Sequence, residues 1–524
     1  MAEPHTKLAD SLDVLKALQD DGRRVFQSKE LTRAHRERLL KNGFLKDVMK
    51  GWLISVSPGE RTGDTTPWFV SFWEFCARYS DERFGLRWHL SPDQSLLIHA
   101  GNTVIPNQVI IYSPKGTNNT VQLLFGSSLY DLKQQDMPPR DDLVDKDGLR
   151  LFAAPAALLK VSEGFYQRYP VEAQIVLSGI SDASDLLRRL LSGGHSAIAG
   201  RLAGAFRHIG KADIADEIVV TMKAADYVVR ETDPFKGGSQ FGKTTTATSP
   251  IVARLQVLWK THREKIIRIF PPAPGLPEDR AAYLQQVDDV YQSDAYHSLS
   301  IEGYRVSPDL IERVRAGNWD PREVEGDRTA RDALTARGYW QAFKAVKSDV
   351  EQVIAGADAG KLISSSHRAW YRELFQPCVV AGLISSGTLA GYRNDAVFIR
   401  SSRHVPPRWQ AVLDAMPILF DLLSREKESS VRAVLGHWLF GYIHPYPDGN
   451  GRVARFLMNV MLASGGYPWT VIRIDDRDRY MHALESASVD GNIEPFAAFI
   501  GELVQRGIEG QPGVSLSGGS STNT

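Results

Sequence analysis

Apolar side chains recur at helical spacing on both sides of one short polar stretch, residues 444–455. Before it, Val431, Val434, Leu435, Trp438, Leu439, Tyr442 and Ile443 fall at i, i+3, i+4, i+7, i+8, i+11 and i+12, which predicts a core-facing helix opened by Ser429 and Ser430. After it, Val453, Phe456, Leu457, Val460 and Met461 repeat the spacing, and Gly465-Gly466 predicts the stop. From Ile251 to about Gly510 the chain reads as mainly helical. Near the N-terminus, Leu12, Val14, Leu15 and Leu18 predict a first helix, Ser28 caps a short second one, and Thr32 caps a third over Arg33 to Lys41. Leu45 to Val48 and Trp52 to Val56 then read as two strands around Lys50-Gly51, so residues 1–60 have the order of a helix-turn-helix with a wing. Residues 61–229 mix strands and helices. Gln108 to Tyr112 and Val121 to Phe125 predict a hairpin across SPKGTNNT, and helices follow over Ala154–Val161, Val171–Leu177, Asp185–Leu191 and Ala197–Ile209. Residues 230–250, rich in Gly, Ser, Thr and Pro, read as a linker, and the uncharged 511–524 as a disordered tail. The fold class is multidomain and mainly α, with an α/β region in the N-terminal half and a helical domain over 251–510.

The polar stretch, HPYPDGNGRVAR, is a loop that ends on a helix N-terminus, and its residue types suit anion chemistry. Gly449 and Gly451 permit a tight turn and bring N–H groups close to a ligand. Asn450 to Arg452 open a helix whose free amides and positive dipole end favour a phosphate. Arg452 and Arg455, three apart, point along one face towards that anion. Asp448 supplies one hard carboxylate, enough for Mg²⁺ completed by phosphate oxygens and water. His444, at the end of the preceding helix, is placed to take a proton from a hydroxyl. Together these describe attack by a hydroxyl on a nucleotide phosphate.

HPYPDGNGRVAR resembles the signature of the Fic family, His-Pro-aromatic-x-Asp/Glu-Gly-Asn-Gly-Arg-x-x-Arg, and matches it throughout, with Tyr446 in the aromatic place. The resemblance implies an all-α domain with a small β-hairpin flap that transfers AMP from ATP to a hydroxyl (Ser, Thr or Tyr) of a target protein and releases pyrophosphate. His444 would be the base, Asp448 the Mg²⁺ ligand, and Gly449, Asn450, Gly451, Arg452 and Arg455 the phosphate binders. Upstream, SLSIEG resembles the family's inhibitory motif, Ser/Thr-x-x-x-Glu-Gly/Asn, with Ser298, Glu302 and Gly303 in its fixed places. A Glu302 carboxylate forming a bidentate pair with Arg455 would occupy the place of the γ-phosphate. GYRNDAVFIRSSRHVPP resembles the flap, with Val397, Phe398, Ile399 and Arg400 as its strand-like part near ATP. RYMHALESAS resembles the adenine-binding segment. Tyr480 keeps its first aromatic, Met481 replaces the second, and Ser488 replaces an asparagine.

Other patterns carry less. Gly237, Gly242, Lys243 and Thr244 satisfy the phosphate-loop spacing G-x-x-x-x-G-K-T. No hydrophobic strand precedes them and a β-branched run ending at Pro250 follows, so the linker reading wins. Between Arg23 and Lys50, nine basic residues face three acidic ones. That surplus suits a helix in a DNA groove, with Arg33, Arg36 and Arg38 as candidate contacts. The N-terminal half also resembles the antitoxins of type IV abortive-infection systems, on phrasing such as SKELTRAHRERLLKNGFLKDVMKGWLISV. Formal net charge is zero, so any affinity for nucleic acid is local. Cys76 and Cys378 form no metal or disulfide pattern, and no apolar run long enough for a membrane span occurs; a cytoplasmic protein is the expectation. A homodimer is left open. Two rival readings stay open as well: a de-AMPylase using the same site, and a DNA-binding regulator or antitoxin whose Fic-type domain senses nucleotide.

Overall fold

The computed structural model describes residues 4–20, 22–58, 64–235, 249–317 and 330–510. The chain divides into two compact units, one built on residues 1–254 with 398–405, the other on 255–397 with 406 onward. Among the described residues there are twenty α-helices, three small sheets, and no helix long and apolar enough to cross a membrane.

The first unit opens with α1 (Pro4–Gln19), β1 (Val25–Gln27), α2 (Arg33–Lys41), β2 (Leu45–Met49) and β3 (Trp52–Ser55). Thr32 caps α2 as its sequence predicts, its side chain accepting from the His35 N–H. The expected second helix is only a 3-10 turn, Ser28–Glu30, capped by Gln27 rather than Ser28. Glu30 reaches back to the Gln27 N–H at 2.6 Å, and three residues leave no room for a longer helix before Thr32. The strands form an antiparallel sheet in the order β1-β3-β2. One side of this sheet packs a small core of Leu15, Phe26, Leu31, Leu39, Leu45 and Leu53. The other side, with Val25, Trp52 and Ile54, joins a larger core with Trp68, Phe72, Phe75 and Trp88. One hydrophobic core therefore runs across the region boundary expected near residue 60.

α3 (Thr66–Phe84) supplies much of that core. It is followed by β4 (His89–Leu90), α4 (Pro92–His99), β5 (Gln108–Ser113), β6 (Asn119–Gln122) and β7 (Ser128–Lys133), then by β8 (Leu143–Lys146) and β9 (Leu149–Phe152). The expected β5–β6 hairpin is not formed. The sheet runs β4-β5-β7-β6, with β7 parallel to β5 and antiparallel to β6. The tight turn comes one strand later than predicted, at Phe125 and Gly126, both in the left-handed region (φ 52° and 73°). The polar loop before β6 is instead satisfied by buried Asp131 of β7, which accepts from the Thr117 and Asn119 N–H groups and pairs with Arg83. Six helices, α5 to α10, then run over Ala154–Lys160, Glu163–Arg168, Pro170–Gly179, Ser184–Gly193, Ser196–His208 and Ala212–Ala224; they contain the predicted stretches except Val161 and Ile209, which cap α5 and α9. Residues 230–235, expected to open the linker, lie along α9 instead. Thr232 N–H donates to Gly200 O at 3.1 Å, Arg207 pairs with Glu231, and Phe235 is buried. The phosphate-loop spacing at 237–244 and the tail at 511–524 fall outside the described residues.

Among the described residues the second unit is built from helices and the loops that join them. It takes most of α11 (Pro250–Ile269), then α12 (Arg280–Ile301), α13 (Pro308–Arg315), α14 (Ala330–Ile354), α15 (Ala359–Val380), α16 (Trp409–Arg425), α17 (Ser429–Ile443), α18 (Asn450–Ala463), α19 (Arg477–Val489) and α20 (Glu494–Ile508). α17 and α18 are almost wholly buried and pack on each other, each buried Leu, Val or Phe contributing about 1.5–3 kcal/mol. The expected flap hairpin is absent. Val397 to Arg400 are not a strand, and the backbone pairing of this stretch comes at His404, bridged to Val104, and at Arg403 O, which accepts from the Ile105 N–H. Pro406-Pro407 removes the N–H groups a return strand needs, so the segment finds its partners on the first unit.

Candidate active site

The loop from His444 to Gly449 hangs between two helices that cannot shift without opening core, which fixes its ends. Its interior is fixed by Asn450. The Asn450 side chain donates to Tyr446 O at 2.8 Å and accepts from the Tyr446 N–H at 2.9 Å. That side chain is spent on the loop, and only the Asn450 backbone faces the helix N-terminus. Tyr446 is buried and stacks on Tyr371 of α15 at 3.8 Å with nearly parallel rings, so the aromatic place in the motif is a packing position.

His444 is the C-cap of α17, in the left-handed region at φ 52°. Its Nδ1 lies 3.1 Å from Gly441 O. A carbonyl can only accept, so the proton sits on Nδ1 and Nε2 carries the free lone pair. Burial depresses the imidazole pKa and Arg393 adds to this; the Gly441 bond, Glu302 and Asp448 oppose it, and the net direction is down. His444 is neutral at neutral pH, as a base must be. Its backbone is held by a residue the sequence did not single out. Arg393 is buried, donates from Nε to His444 O at 2.8 Å, reaches Pro407 O and Asp395 O, and accepts nothing. Burial lowers its pKa to about 10, still cationic.

α18 begins at Asn450 behind Gly449, whose φ of 77° only glycine adopts without strain. Asp448 is half exposed and accepts from the Gly449 N–H at 2.6 Å. Among the described residues no three metal-binding side chains cluster. A single exposed carboxylate beside an anion cradle fits Mg²⁺ that draws its other ligands from phosphate and water. Asp448, Glu302, Gly303, Tyr304, Arg331 and Asp332 line a cavity of about 310 Å³.

The two arginines of α18 are buried, Arg452 at 1% and Arg455 at 4% side-chain exposure. Arg455 Nε donates to Ser298 Oγ at 2.9 Å, and its Nη2 to Ser298 O at 3.0 Å and to Glu302 Oε1 at 2.8 Å. Two of the three positions named by the upstream motif, Ser298 and Glu302, thus meet Arg455 at the end of α12. The expected bidentate pair is not formed: Glu302 takes one bond and Ser298 takes the Nε. The reason is local. Glu302 is the C-cap of α12, Gly303 turns the chain at φ 90°, Gly303 N–H donates to Ser300 O, and Tyr304 N–H donates to Leu299 O. This Schellman closure fixes where the carboxylate begins. Burial would raise the Glu302 pKa, but Arg455 and Arg452 outweigh it and hold it below the usual carboxylate value. A Cβ at Gly451 would collide with Glu302 Oε1, so the glycine there makes room for the carboxylate at the helix N-terminus.

Arg455 Nη1 and all three nitrogens of Arg452 have no hydrogen-bond partner among the described residues. Arg452 lies within cation–π distance of the rings of Tyr304 (5.3 Å) and Phe375 (5.0 Å), with Asp448 Oδ1 at 3.6 Å. Four buried cationic nitrogens without a hydrogen-bond partner among the described residues, at a helix N-terminus, can take up an anion. Asp294, four residues before Ser298 on the same face of α12, accepts from Tyr339 Oη at 2.7 Å; its burial raises its pKa to about 6. The polar run Asp294, Ser298, Glu302 at spacing four was the signal for it in the sequence.

The adenine candidates are differently placed. Tyr480 is buried with its hydroxyl 2.7 Å from His437 Nε2, and Ser488 Oγ accepts from Trp438 Nε1 at 2.9 Å; Met481 is half-buried. Phe398, Ile399 and Arg400 group with the first unit, where Arg400 pairs with Asp64 at 3.6 Å and Phe398 lies under Arg24; Val397 stays with the second. On α2, Arg33 pairs with Glu37, Arg36 is half-buried, and Arg38 donates to Lys7 O and Ser11 Oγ, tying α1 to α2.

Residues 363–462 match the model of the Fic/DOC family. The chain is 32% identical over 251 residues to a protein adenylyltransferase Fic of Nematostella vectensis, covering 47% of this chain and 53% of that protein. It is 34% identical over 239 residues to a protein of the same name from Drosophila virilis, covering 45% of each. The chain spans about half the length of these curated relatives. A solved structure of Fic-1 from C. elegans aligns over 66% of this chain and 98% of its own, at 14% identity and a TM-score of 0.37, a likeness that adds nothing to the assignment.

Proposed function

We propose, from the match of residues 363–462 to the Fic/DOC family, that the chain is a protein adenylyltransferase restrained by its own Glu302. The observation that carries this reading is the set of cationic nitrogens on Arg452 and Arg455 without a hydrogen-bond partner among the described residues, together with a His444 whose Nδ1 is turned to Gly441 O, which leaves the Nε2 lone pair for a proton. ATP would lay its phosphates on the N-terminus of α18. A hydroxyl oxygen of the target protein forms a bond to the α-phosphorus, the bond to the bridging oxygen of the β-phosphate breaks, and pyrophosphate leaves. The hydroxyl proton passes to Nε2 of His444. Asp448 would hold Mg²⁺, which when bound shields the charge of the leaving group. The amides of Gly451 and Arg452, with the two guanidinium groups, stabilise charge in the transition state.

Glu302 restrains this by occupying Nη2 of Arg455, the group that otherwise grips the γ-phosphate. A carboxylate at a helix C-terminus opposes the helix dipole by about 0.3–1 kcal/mol, so the contact persists on the strength of Arg455 and yields when a better anion or partner competes. The test is transfer of label from α-³²P-ATP to protein. His444→Ala abolishes it, and Glu302→Gly raises it at least about tenfold, the loss of one charge-assisted bond. Equal labelling by wild type and both variants would remove the proposal.

Glu302 also bears electrostatically on His444, which suits a second reading, removal of AMP from a modified protein with Glu302 orienting the attacking water. Release of AMP from a pre-labelled substrate by wild type, lost in Glu302→Gly, separates the two directions. In the first unit, the order α1-β1-α2-β2-β3 supports the winged-helix reading and with it a DNA contact through α2. Because Arg38 serves α1, the gel-shift variant that tests it is Arg33→Ala with Arg36→Ala.

A further inference from the structure

Arg455 has Ser298 and Glu302; Arg452 has two aromatic rings, Asp448 at ion-pair distance and no hydrogen bond among the described residues. Tyr304 lies 5.3 Å and Phe375 5.0 Å from its guanidinium carbon, within the range of cation–π attraction. A guanidinium with rings against it keeps its N–H groups free at the edge, in one plane, and loses the rotational freedom that an arginine otherwise spends on binding. Here those groups are buried and bonded to nothing among the described residues, and the closest carboxylate oxygen is 3.6 Å away. Phe375 belongs to α15 and presses on the loop: a Cβ at Gly449 would sit 2.8 Å from its ring. Tyr304 belongs to the turn after α12, two residues beyond Glu302, its N–H tied to Leu299 O.

We infer that Tyr304 and Phe375 are positioning residues, an aromatic clamp that aims the N–H edge of Arg452 at the diphosphate part of the nucleotide, with one jaw fixed in α15 and the other carried by the turn that bears Glu302. The inference rests on the nucleotidyl-transfer reading above and deepens it. The turn after α12 acts on both arginines of α18, engaging Arg455 by charge and Arg452 by a ring. A substitution that removes the Glu302 carboxylate but keeps the turn leaves the clamp closed; one that unravels the turn opens it.

The experiment uses the full chain carrying Glu302→Ala, which keeps Gly303 and the closure of α12. On it are placed Tyr304→Phe, Tyr304→Leu and Phe375→Leu. The KM for ATP in protein labelling and the affinity for inorganic pyrophosphate by calorimetry are read in parallel. Tyr304→Phe keeps both values within about twofold, because the ring suffices. Each leucine variant weakens both by about three- to tenfold, the range of a desolvated cation–π contact, with a smaller change in kcat. In an Arg452→Gln background the leucine variants have no further effect on pyrophosphate. Leucine variants that match Tyr304→Phe, or that still weaken pyrophosphate binding once Arg452 is glutamine, overturn the clamp. Pyrophosphate binding that follows this pattern with no labelling by Glu302→Ala strikes the transfer reading and leaves the clamp standing.

Discussion

Two helices present arginines in opposite states. On α2, Arg33 is exposed and paired with Glu37 at 2.7 Å, and Arg38 is satisfied by Lys7 O and Ser11 Oγ. On α18, Arg452 and Arg455 are buried, and between them leave four nitrogens without a hydrogen-bond partner among the described residues. The first arrangement is what folding alone produces, since exposed cations are solvated or paired at little gain. The second is costly to fold, because a buried guanidinium without hydrogen bonds forfeits its hydration. A chain holds charges in that state when a ligand supplies what the protein withholds.

The largest effect that could break this contrast is catalytic. Arg455→Ala removes the cation that would grip the γ-phosphate, and in a Glu302→Gly background labelling should fall by about 10²–10³; unchanged labelling would make Arg455 a structural residue. Next comes a trade of stability against binding. Arg452→Met keeps volume and an unbranched stem while removing the orphaned charge, so it should raise stability by about 1–2 kcal/mol, a few degrees in the melting of the second unit. The same variant should lose pyrophosphate binding in calorimetry. A lower melting temperature would mean that Arg452 is paired in solution.

Acid dependence sharpens the contrast further. The folded pKa of His444 is depressed below the ordinary imidazole value, so the base stays neutral as pH falls through 6.5 and the rate falls only below that point. Glu302 acts to raise the His444 pKa, and Glu302→Gly therefore moves the acid limb of the pH–rate profile to still lower pH. Glu302 itself is depressed, so its pairing with Arg455 is fully present above the ordinary carboxylate pKa and is lost only as pH drops through the lower folded value. Basal labelling by the wild type should accordingly show no rise between pH 7 and pH 5. A rise there would show that the carboxylate titrates higher than its two arginine neighbours permit.

How much of this was legible in the sequence depends on how local the cause was. The helices around the loop could be read from apolar spacing, and the candidate base, carboxylate and arginines from residue types within twelve positions. The meeting of Ser298 and Glu302 with Arg455 was readable only through a motif, because their separation of over 150 residues leaves no periodic trace. Arg393 and the Tyr304–Phe375 pair were not readable. A lone arginine in a loop carries no mark of its carbonyl partners, and two rings from distant segments show no common spacing. β7 was missed for a related reason: SLYDLK is amphipathic only in part, and its parallel pairing to β5 is non-local. The flap hairpin failed because an apolar run, Val397 to Ile399, reads as a strand whether or not a neighbouring edge exists to pair with it.

The smallest predicted effects lie on α2 and separate two arginines that the sequence treats alike. Arg38→Ala breaks two bonds that tie α1 to α2 and should destabilise the first unit by about 1 kcal/mol, seen as a lower denaturant midpoint. Arg33→Ala removes only an exposed i,i+4 pair with Glu37 and should leave that midpoint unmoved. If α2 also docks on DNA, Arg33→Ala weakens binding in a gel shift by an amount that shrinks as salt rises, while leaving stability intact. Arg38→Ala can weaken DNA binding only together with stability. A midpoint that fell equally in both variants would mean that Arg33 is held in solution as firmly as Arg38, and the contrast between the two cationic helices would then rest on α18 alone.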